Sequence, residues 1–166
     1  TCHEISILIA ISFSTVSVFS DDSKIDFRVI KPHIVFYEKS QWKPSEVELN
    51  DAIDEAHRHL LFRLTEPNIK SDYEQNIKDI LKNFQYLYSI QYVGERGNNG
   101  DQIIQFNFNY SDDPEGNVEI LKKKMIAGHN VGIKYWTIKY NIKTKKCYDL
   151  WICERDTVNE KGTILR

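Results

Sequence analysis

The sequence predicts an α+β domain in which helices pack on one face of a twisted antiparallel sheet. Three observations predict this class: a long run of helical periodicity at 46–64, two runs alternating apolar and polar residues at 84–92 and 104–110, and further alternation after residue 132. The chain has 166 residues, 41% hydrophobic and 28% charged, so residues 21–166 suffice for one domain with a substantial core.

Residues 1–20 are predicted to be a cleaved signal peptide. The run Ile5–Phe19 carries no charge and is shorter than the roughly 20 apolar residues that a bilayer span needs. Val18 and Ser20 are acceptable residues for cleavage before Asp21. A buried strand and a membrane anchor are the alternative interpretations. Cleavage predicts a secreted, extracellular protein with no membrane segment left.

The domain is expected to begin with an extended element followed by a long helix. Lys24–Glu38 is rich in strand-forming residues, and Pro32 predicts a sheet edge or a bulge because proline cannot donate to a ladder. Ser45 and Glu48 have the spacing of a capping box. The apolar stripe that follows predicts a helix over 46–64.

A second helix and a hairpin are predicted next. Ser71 and Glu74 repeat the capping-box spacing, and the apolar stripe after them predicts a helix over 72–82. The alternating runs at 84–92 and 104–110 flank a turn rich in Gly and Asn, so they predict an antiparallel hairpin. We expect one face of this hairpin to be buried and the other to face water.

The C-terminal part predicts a second strand pair. Residues 117–128 fit a helix, with Asn at its start and Gly after its end, or a strand; the two caps favour the helix. Alternation predicts strands over 132–142 and 147–154, joined by a short turn at 143–145. No parallel βαβ unit is expected.

Two cysteines of the domain lie in this last strand. Along one extended strand, the six steps from Cys147 to Cys153 cover about 20 Å, whereas a disulfide tolerates about 7 Å between Cα atoms. Three states are therefore open: both thiols buried and free, one thiol paired with another molecule, or a bend between them.

No motif of catalysis or cofactor binding is found. The sequence has no P-loop, no dinucleotide fingerprint, no nucleophile elbow and no HExxH. Asp51, Glu55 and His59 share a helix face at a spacing that could hold a metal, but such a face is ordinarily solvated. We therefore predict no catalytic residue, metal or cofactor, and the net charge of −2 argues against a nucleic-acid partner.

Aromatic side chains dominate the apolar faces of the predicted hairpin. Tyrosine hydroxyls need hydrogen-bond partners when buried, so these faces could line a site for a small amphipathic ligand or a partner. An aromatic core under the long helix is the alternative. The candidate ligand-lining residues are Tyr86, Tyr88, Tyr92, Phe106, Phe108 and Tyr110.

A resemblance adds one candidate function. The tract Met125–Gly128, followed by Ile133–Ile138 and Lys145–Cys147, resembles the inhibitory hairpin of the cystatin family and the strands after it. This resemblance implies that a short set of residues enters the cleft of a papain-like cysteine protease. The set is Met125, Ile126, Ala127, Gly128 and Trp151. Helices packed on a curved sheet also resemble the cone-shaped fold of nuclear-transport-factor-like proteins.

The sequence thus predicts a secreted, non-catalytic binding protein whose partner is a protein or a small amphipathic ligand. A cystatin-type inhibitor is one alternative, and an enzyme with a polar cluster that no motif reveals is another. The sequon Asn109-Tyr110-Ser111 predicts a glycosylation site at Asn109 if the chain is secreted.

Overall fold

A computed structural model describes residues 25, 27–84, 88–111, 118–126, 132–153, 157–158 and 164–165. The predicted signal peptide lies outside the described residues, as do Tyr86, Ala127 and Gly128.

The described residues form helices and strands in the order helix, strand, two helices, then mostly strands. The helices are α1 (Phe27–Ile30), α2 (Glu46–Arg63), α3 (Ser71–Asn83) and α4 (Val118–Lys123), with 3₁₀ turns at Lys31–His33 and Gly132–Lys134. The strands are β1 (Ile34–Phe36), β2 (Tyr88–Arg96), β3 (Gln102–Tyr110), β4 (Tyr135–Asn141), β5 (Lys146–Ile152), β6 (Thr157–Val158) and β7 (Ile164–Leu165).

The main sheet has five strands in the order β1-β2-β3-β4-β5, and β6 pairs with β7 separately. The predicted α+β class is confirmed. The strands β2 to β5 are antiparallel neighbours, which confirms the predicted hairpin. However, β1 pairs with β2 in parallel, so the expectation that the chain has no parallel βαβ unit was wrong. The reason is that α2 and α3 form a crossover, which returns the chain to the sheet in the direction of β1.

The prediction of one extended element over Lys24–Glu38 was also wrong. Helix α1 and a 3₁₀ turn precede β1, which has only three residues, Ile34–Phe36. Pro32 lies at the start of the 3₁₀ turn. Its fixed φ suits the first turn of a helix, and its missing N–H costs nothing there.

The two longer helices form as predicted, but only one begins with a capping box. Ser45 caps α2: its backbone N–H donates to Glu48 Oε2 at 2.7 Å, and the Glu48 N–H donates to Ser45 Oγ. In α3, Ser71 is already inside the helix and Lys70 precedes it, with no side-chain cap. The second capping box was therefore a wrong prediction, because its serine lies one position too late to cap.

Helices α2 and α3 bury their apolar stripes against one face of the sheet, which we call the helix face. Their contacts are mostly aromatic and aliphatic. The rings of Phe108 and Trp136 stack in parallel, with centroids 3.7 Å apart, and Phe84 packs against both. The core residues of β4 are Trp136, Ile138 and Tyr140, which alternate as the period of a strand requires.

The opposite face of the sheet, which we call the second face, is not wholly in water. Ser89, Gln91 and Asn107 are almost fully buried there. Leu121 of α4 is fully buried, and α4 packs on β1 and β2. Two expectations were therefore wrong: that one hairpin face is wet, and that helices cover only one side. A polar side chain tolerates burial where it is hydrogen-bonded, as Gln91 and Asn107 are. The favoured helix before Gly128 is confirmed for Val118–Lys123.

A β-bulge in β5 reverses which face of the sheet the side chains after it occupy. The register of β4 and β5 shifts between Thr137 and Lys139, and Asp149 has a φ of 51°. Cys147, opposite Tyr140, therefore belongs to the helix-face core, whereas Cys153 lies beyond the bulge on the second face. The two buried thiols point to opposite sides and form no disulfide with each other.

Candidate functional site

The second face carries a row of side chains that crosses four strands. Pairing places Gln91 of β2 beside Asn107 of β3, Asn107 beside Thr137 of β4, and Thr137 beside Trp151 of β5. Neighbouring strands are about 4.8 Å apart, so the backbones at Asn107 and Trp151 are separated by about 10 Å. The row runs from a buried polar end to an exposed aromatic end.

Gln91 anchors the segment after α4 to the buried end of the row. Its Nε2 donates to the carbonyl oxygens of Leu121 and Lys124, at 2.5 and 2.7 Å. Its Oε1 accepts from Asn107 Nδ2 at 3.0 Å and from the backbone N–H of Ile126 at 3.2 Å. A single buried amide therefore satisfies carbonyl groups at the end of a short helix and fixes the chain that follows.

Met125 is held by this anchor with its side chain half exposed. Its exposed fraction is 45%, and its Sδ accepts a weak hydrogen bond from Asn107 Nδ2 at 3.6 Å. A thioether in this position is apolar and adaptable, which suits contact with another molecule.

Tyr135 connects this segment to the exposed end of the row. Its hydroxyl donates to the carbonyl of Ile126 at 2.8 Å, and its ring meets that of Trp151 edge-on at 5.9 Å. Burial raises the pKa of Tyr135, with the nearby Cys153 adding to the rise, so the hydroxyl stays a donor at neutral pH. Trp151 itself is 49% exposed.

We call this constellation the Met125–Trp151 surface. It consists of Met125, Ile126, Tyr135, Thr137 and Trp151. Polar groups border it: Lys139 on β4 and Asp149 at the bulge lie 4.0 Å apart. The surface thus has apolar groups at its centre and charges at one edge, as protein interfaces commonly have.

The structure brings together three residues of the set that the cystatin resemblance implies. Tyr135 links Ile126 to Trp151, and Met125 precedes Ile126 and contacts Asn107. Ala127 and Gly128 lie outside the described residues. Sequence reasoning missed Tyr135 and Thr137 as members of a site. Their alternation with the core residues of β4 was the pattern that indicated their place on the opposite face. It also missed Gln91, because its partners Leu121 and Lys124 are distant in sequence.

The predicted ligand-lining aromatics that the structure describes lie on the helix face. Tyr88, Tyr92, Phe106 and Phe108 are buried, and Tyr110 is half-buried beside Tyr88. Tyr88 donates its hydroxyl to the carbonyl of Ile133 at 2.9 Å, and burial raises its pKa, while the Trp136 side chain acts against that rise. These rings pack on one another and on Trp136, so their apolar surfaces contact the protein's own core.

The polar face of α2 forms ion pairs. Glu55 lies 3.1 Å from Arg58 and 3.6 Å from Lys146. The pKa of His59 is lowered, first by burial and then by the charge of Arg63.

Within the described ranges, no three His, Cys, Asp or Glu residues are grouped so as to hold a metal ion. Among the helices of those ranges, none is long and apolar enough to cross a membrane.

Comparison with known proteins identifies no relative: no family model, no curated protein and no solved structure matches the chain. The cystatin and cone resemblances therefore stay predictions, and function is argued from the Met125–Trp151 surface.

Proposed function

We propose that this chain is a secreted, non-catalytic binding protein that recognises a partner protein through the Met125–Trp151 surface. The observation that carries the proposal is the exposure of Met125 and Trp151 on one face of the sheet, where Tyr135 packs against Trp151 and Asn107 contacts Met125. Trp is enriched among the residues that dominate binding energies, and Met adapts to partners of varied shape.

The support under these two side chains favours a binding role over an accidental exposure. Tyr135 is 5% exposed and hydrogen-bonded, and Gln91 is 1% exposed and holds the segment that carries Met125. The exposed groups are therefore fixed before a partner arrives. Preorganisation of this kind reduces the entropic cost of association.

A protein partner is favoured over a small ligand by the way the aromatic side chains are used. The tyrosines and phenylalanines of β2 and β3 that were candidates for a ligand site contact one another in the core. The exposed apolar groups lie instead on a sheet surface with charged neighbours. Such a surface suits a partner that buries it broadly.

Secretion is proposed from the uncharged run Ile5–Phe19 and the cleavage residues that follow it.

The binding role is tested by comparing variants in a capture experiment. The full chain is immobilised and exposed to extracellular fluid of the source organism. Proteins retained by the native chain are compared with those retained by the double variant Met125→Lys, Trp151→Lys. A retained protein is then purified and its affinity measured by calorimetry. We expect the double variant to bind roughly 30-fold more weakly or worse, as loss of a Trp hot spot of about 2 kcal/mol implies.

The matched control replaces exposed apolar residues away from the surface. Val47 and Phe62 of α2 are 71% and 64% exposed, so the double variant Val47→Lys, Phe62→Lys makes the same chemical change elsewhere. This control should bind like the native chain. Equal affinities for the native chain and the Met125/Trp151 variant, with both folded by circular dichroism, would refute the proposed surface.

Inhibition of a papain-like cysteine protease is a second and weaker candidate function, because helix α4 (Val118–Lys123) occupies part of the segment in which the cystatin resemblance requires a hairpin. Met125, Ile126 and Trp151 favour it, because these described members of the implied set lie on one surface. The test is inhibition of papain by the full chain, with Gly128→Trp as the variant expected to abolish it. No inhibition at micromolar concentration excludes this candidate and leaves the general binding proposal standing.

A further inference from the structure

The sequon of this chain lies at the end of a strand on the second face. Asn109 and Tyr110 are the last residues of β3, and Ser111 follows them. Asn109 is half-buried, and no hydrogen bond between described residues uses its side-chain amide. In the part of the fold that the structure describes, the side-chain nitrogen that would receive a glycan is therefore not held by a hydrogen bond.

Asn109 also borders the Met125–Trp151 surface. Its Cα partners are Ser89 on β2 and Tyr135 on β4, and the Tyr135 ring contacts that of Trp151. Asn107, which contacts Met125, is two residues earlier on the same strand and points to the same face, about 7 Å away. A group attached to Asn109 would therefore stand beside the proposed binding surface.

We propose that Asn109 carries an N-linked glycan that flanks the Met125–Trp151 surface and limits the directions from which a partner can approach it. The inference rests on the proposed secretion, because the modification takes place in the secretory pathway. The side-chain nitrogen of Asn109 forms a bond to the anomeric carbon of a lipid-diphosphate-linked oligosaccharide. The bond from that carbon to the diphosphate oxygen breaks, the lipid diphosphate leaves with the electron pair, and the nitrogen loses one proton.

The first test separates glycosylation from secretion. The full chain is expressed in cultured eukaryotic cells in two forms, one with its own N-terminus and one with an established secretory signal fused ahead of Thr1. The secreted protein is treated with peptide-N-glycosidase F, which releases the glycan and converts the modified asparagine to aspartate. We expect loss of mass on treatment and aspartate at position 109 in the tryptic peptide.

Two kinds of variant support the assignment. Asn109→Gln and Ser111→Ala each remove the sequon and should abolish the mass change. Asn98→Gln, at an exposed asparagine outside any sequon, should leave it intact. If the form with the added signal reaches the medium with no removable glycan, the inference is overturned. If only that form is exported and glycosylated, Asn109 is supported as an acceptor and the proposed secretion fails instead.

The second test asks whether the glycan stands beside Trp151. Acrylamide quenching of tryptophan fluorescence is measured before and after enzymatic removal of the glycan. Of the three tryptophans, Trp136 is fully buried and Trp42 is partly buried, whereas Trp151 is half exposed, so the quenching constant should rise on removal. The rise should vanish in Trp151→Phe. An unchanged constant in the native chain would overturn the proposed position of the glycan.

Discussion

Replacing Gln91 by leucine tests how the Met125–Trp151 surface is held. Leucine has a similar volume and removes the amide that makes four hydrogen bonds. These bonds join Gln91 to Leu121, Lys124, Asn107 and Ile126. The variant leaves carbonyl and N–H groups in contact with an apolar side chain, which cannot satisfy them.

The expected loss of stability follows from the number of hydrogen bonds removed. Each hydrogen bond contributes about 1 kcal/mol net, so the free energy of unfolding should fall by about 4 kcal/mol. For a domain of this size that corresponds to a melting temperature lower by about 10 °C. Gln105→Leu is the matched control, because Gln105 is half-buried and makes one bond, to Asn107 Oδ1 at 3.0 Å. Its cost should be about 1 kcal/mol.

Two measurements decide the outcome. Thermal unfolding followed by near-ultraviolet circular dichroism gives the difference in stability between the variants. Native-state hydrogen exchange reports the amide of Ile126, which loses its acceptor in Gln91→Leu and should exchange faster. The reasoning is refuted if Gln91→Leu costs no more than Gln105→Leu, or if exchange at Ile126 does not change.

Three further predictions concern the rest of the fold. A Cβ at Gly94 would lie 2.0 Å from the carbonyl oxygen of Trp42, so Gly94→Ala should lower the free energy of unfolding by about 2–4 kcal/mol in chemical denaturation. Gly100→Ala is the control: nothing lies within 4 Å of its Cβ, but φ is +83°, so its cost should be about 1 kcal/mol. Burial raises the pKa of Cys147, so Ellman's reagent at about pH 8 should modify it roughly 100-fold more slowly than a small thiol until denaturant unfolds the chain. Hydrogen bonds from two asparagine amides lower the pKa of Asp101 below 3.8, so its stabilisation holds above about pH 4 and is lost as pH falls further; acid titration should show a smaller loss of stability for Asp101→Asn.

The parts of the fold that the sequence predicts are those decided by local patterns. Helix α2 follows from a cap at Ser45, the residue before its first turn, and from an apolar stripe within the helix. The hairpin of β2 and β3 follows from alternation on either side of a turn. Each of these signals involves residues close in the chain, so no knowledge of the tertiary arrangement is needed.

The parts that were wrong depend on distant partners. Gln91 and Asn107 alternate with apolar neighbours, which is the pattern of a wet sheet face, yet both are buried. The burial of Gln91 depends on the carbonyl groups of Leu121 and Lys124, at sequence separations of 30 and 33, and that of Asn107 depends on Gln91, at a separation of 16. The parallel pairing of β1 with β2 likewise depends on how two helices return the chain to the sheet. Such long-range pairings leave no local pattern to read.

The exposure of Trp151 follows from one backbone conformation. In an unbroken β5, pairing counted from Cys147 opposite Tyr140 would place Trp151 opposite Trp136, inside the helix-face core. The bulge at Asp149, with φ of 51°, adds one residue, so Ile152 takes that core position and Trp151 turns to the second face. Aspartate adopts this left-handed conformation more readily than most residues with a side chain. The amphipathic pattern of β5 therefore cannot be read in a single register. The bulge that turns Trp151 to the second face also conceals the Met125–Trp151 surface from an analysis of the sequence.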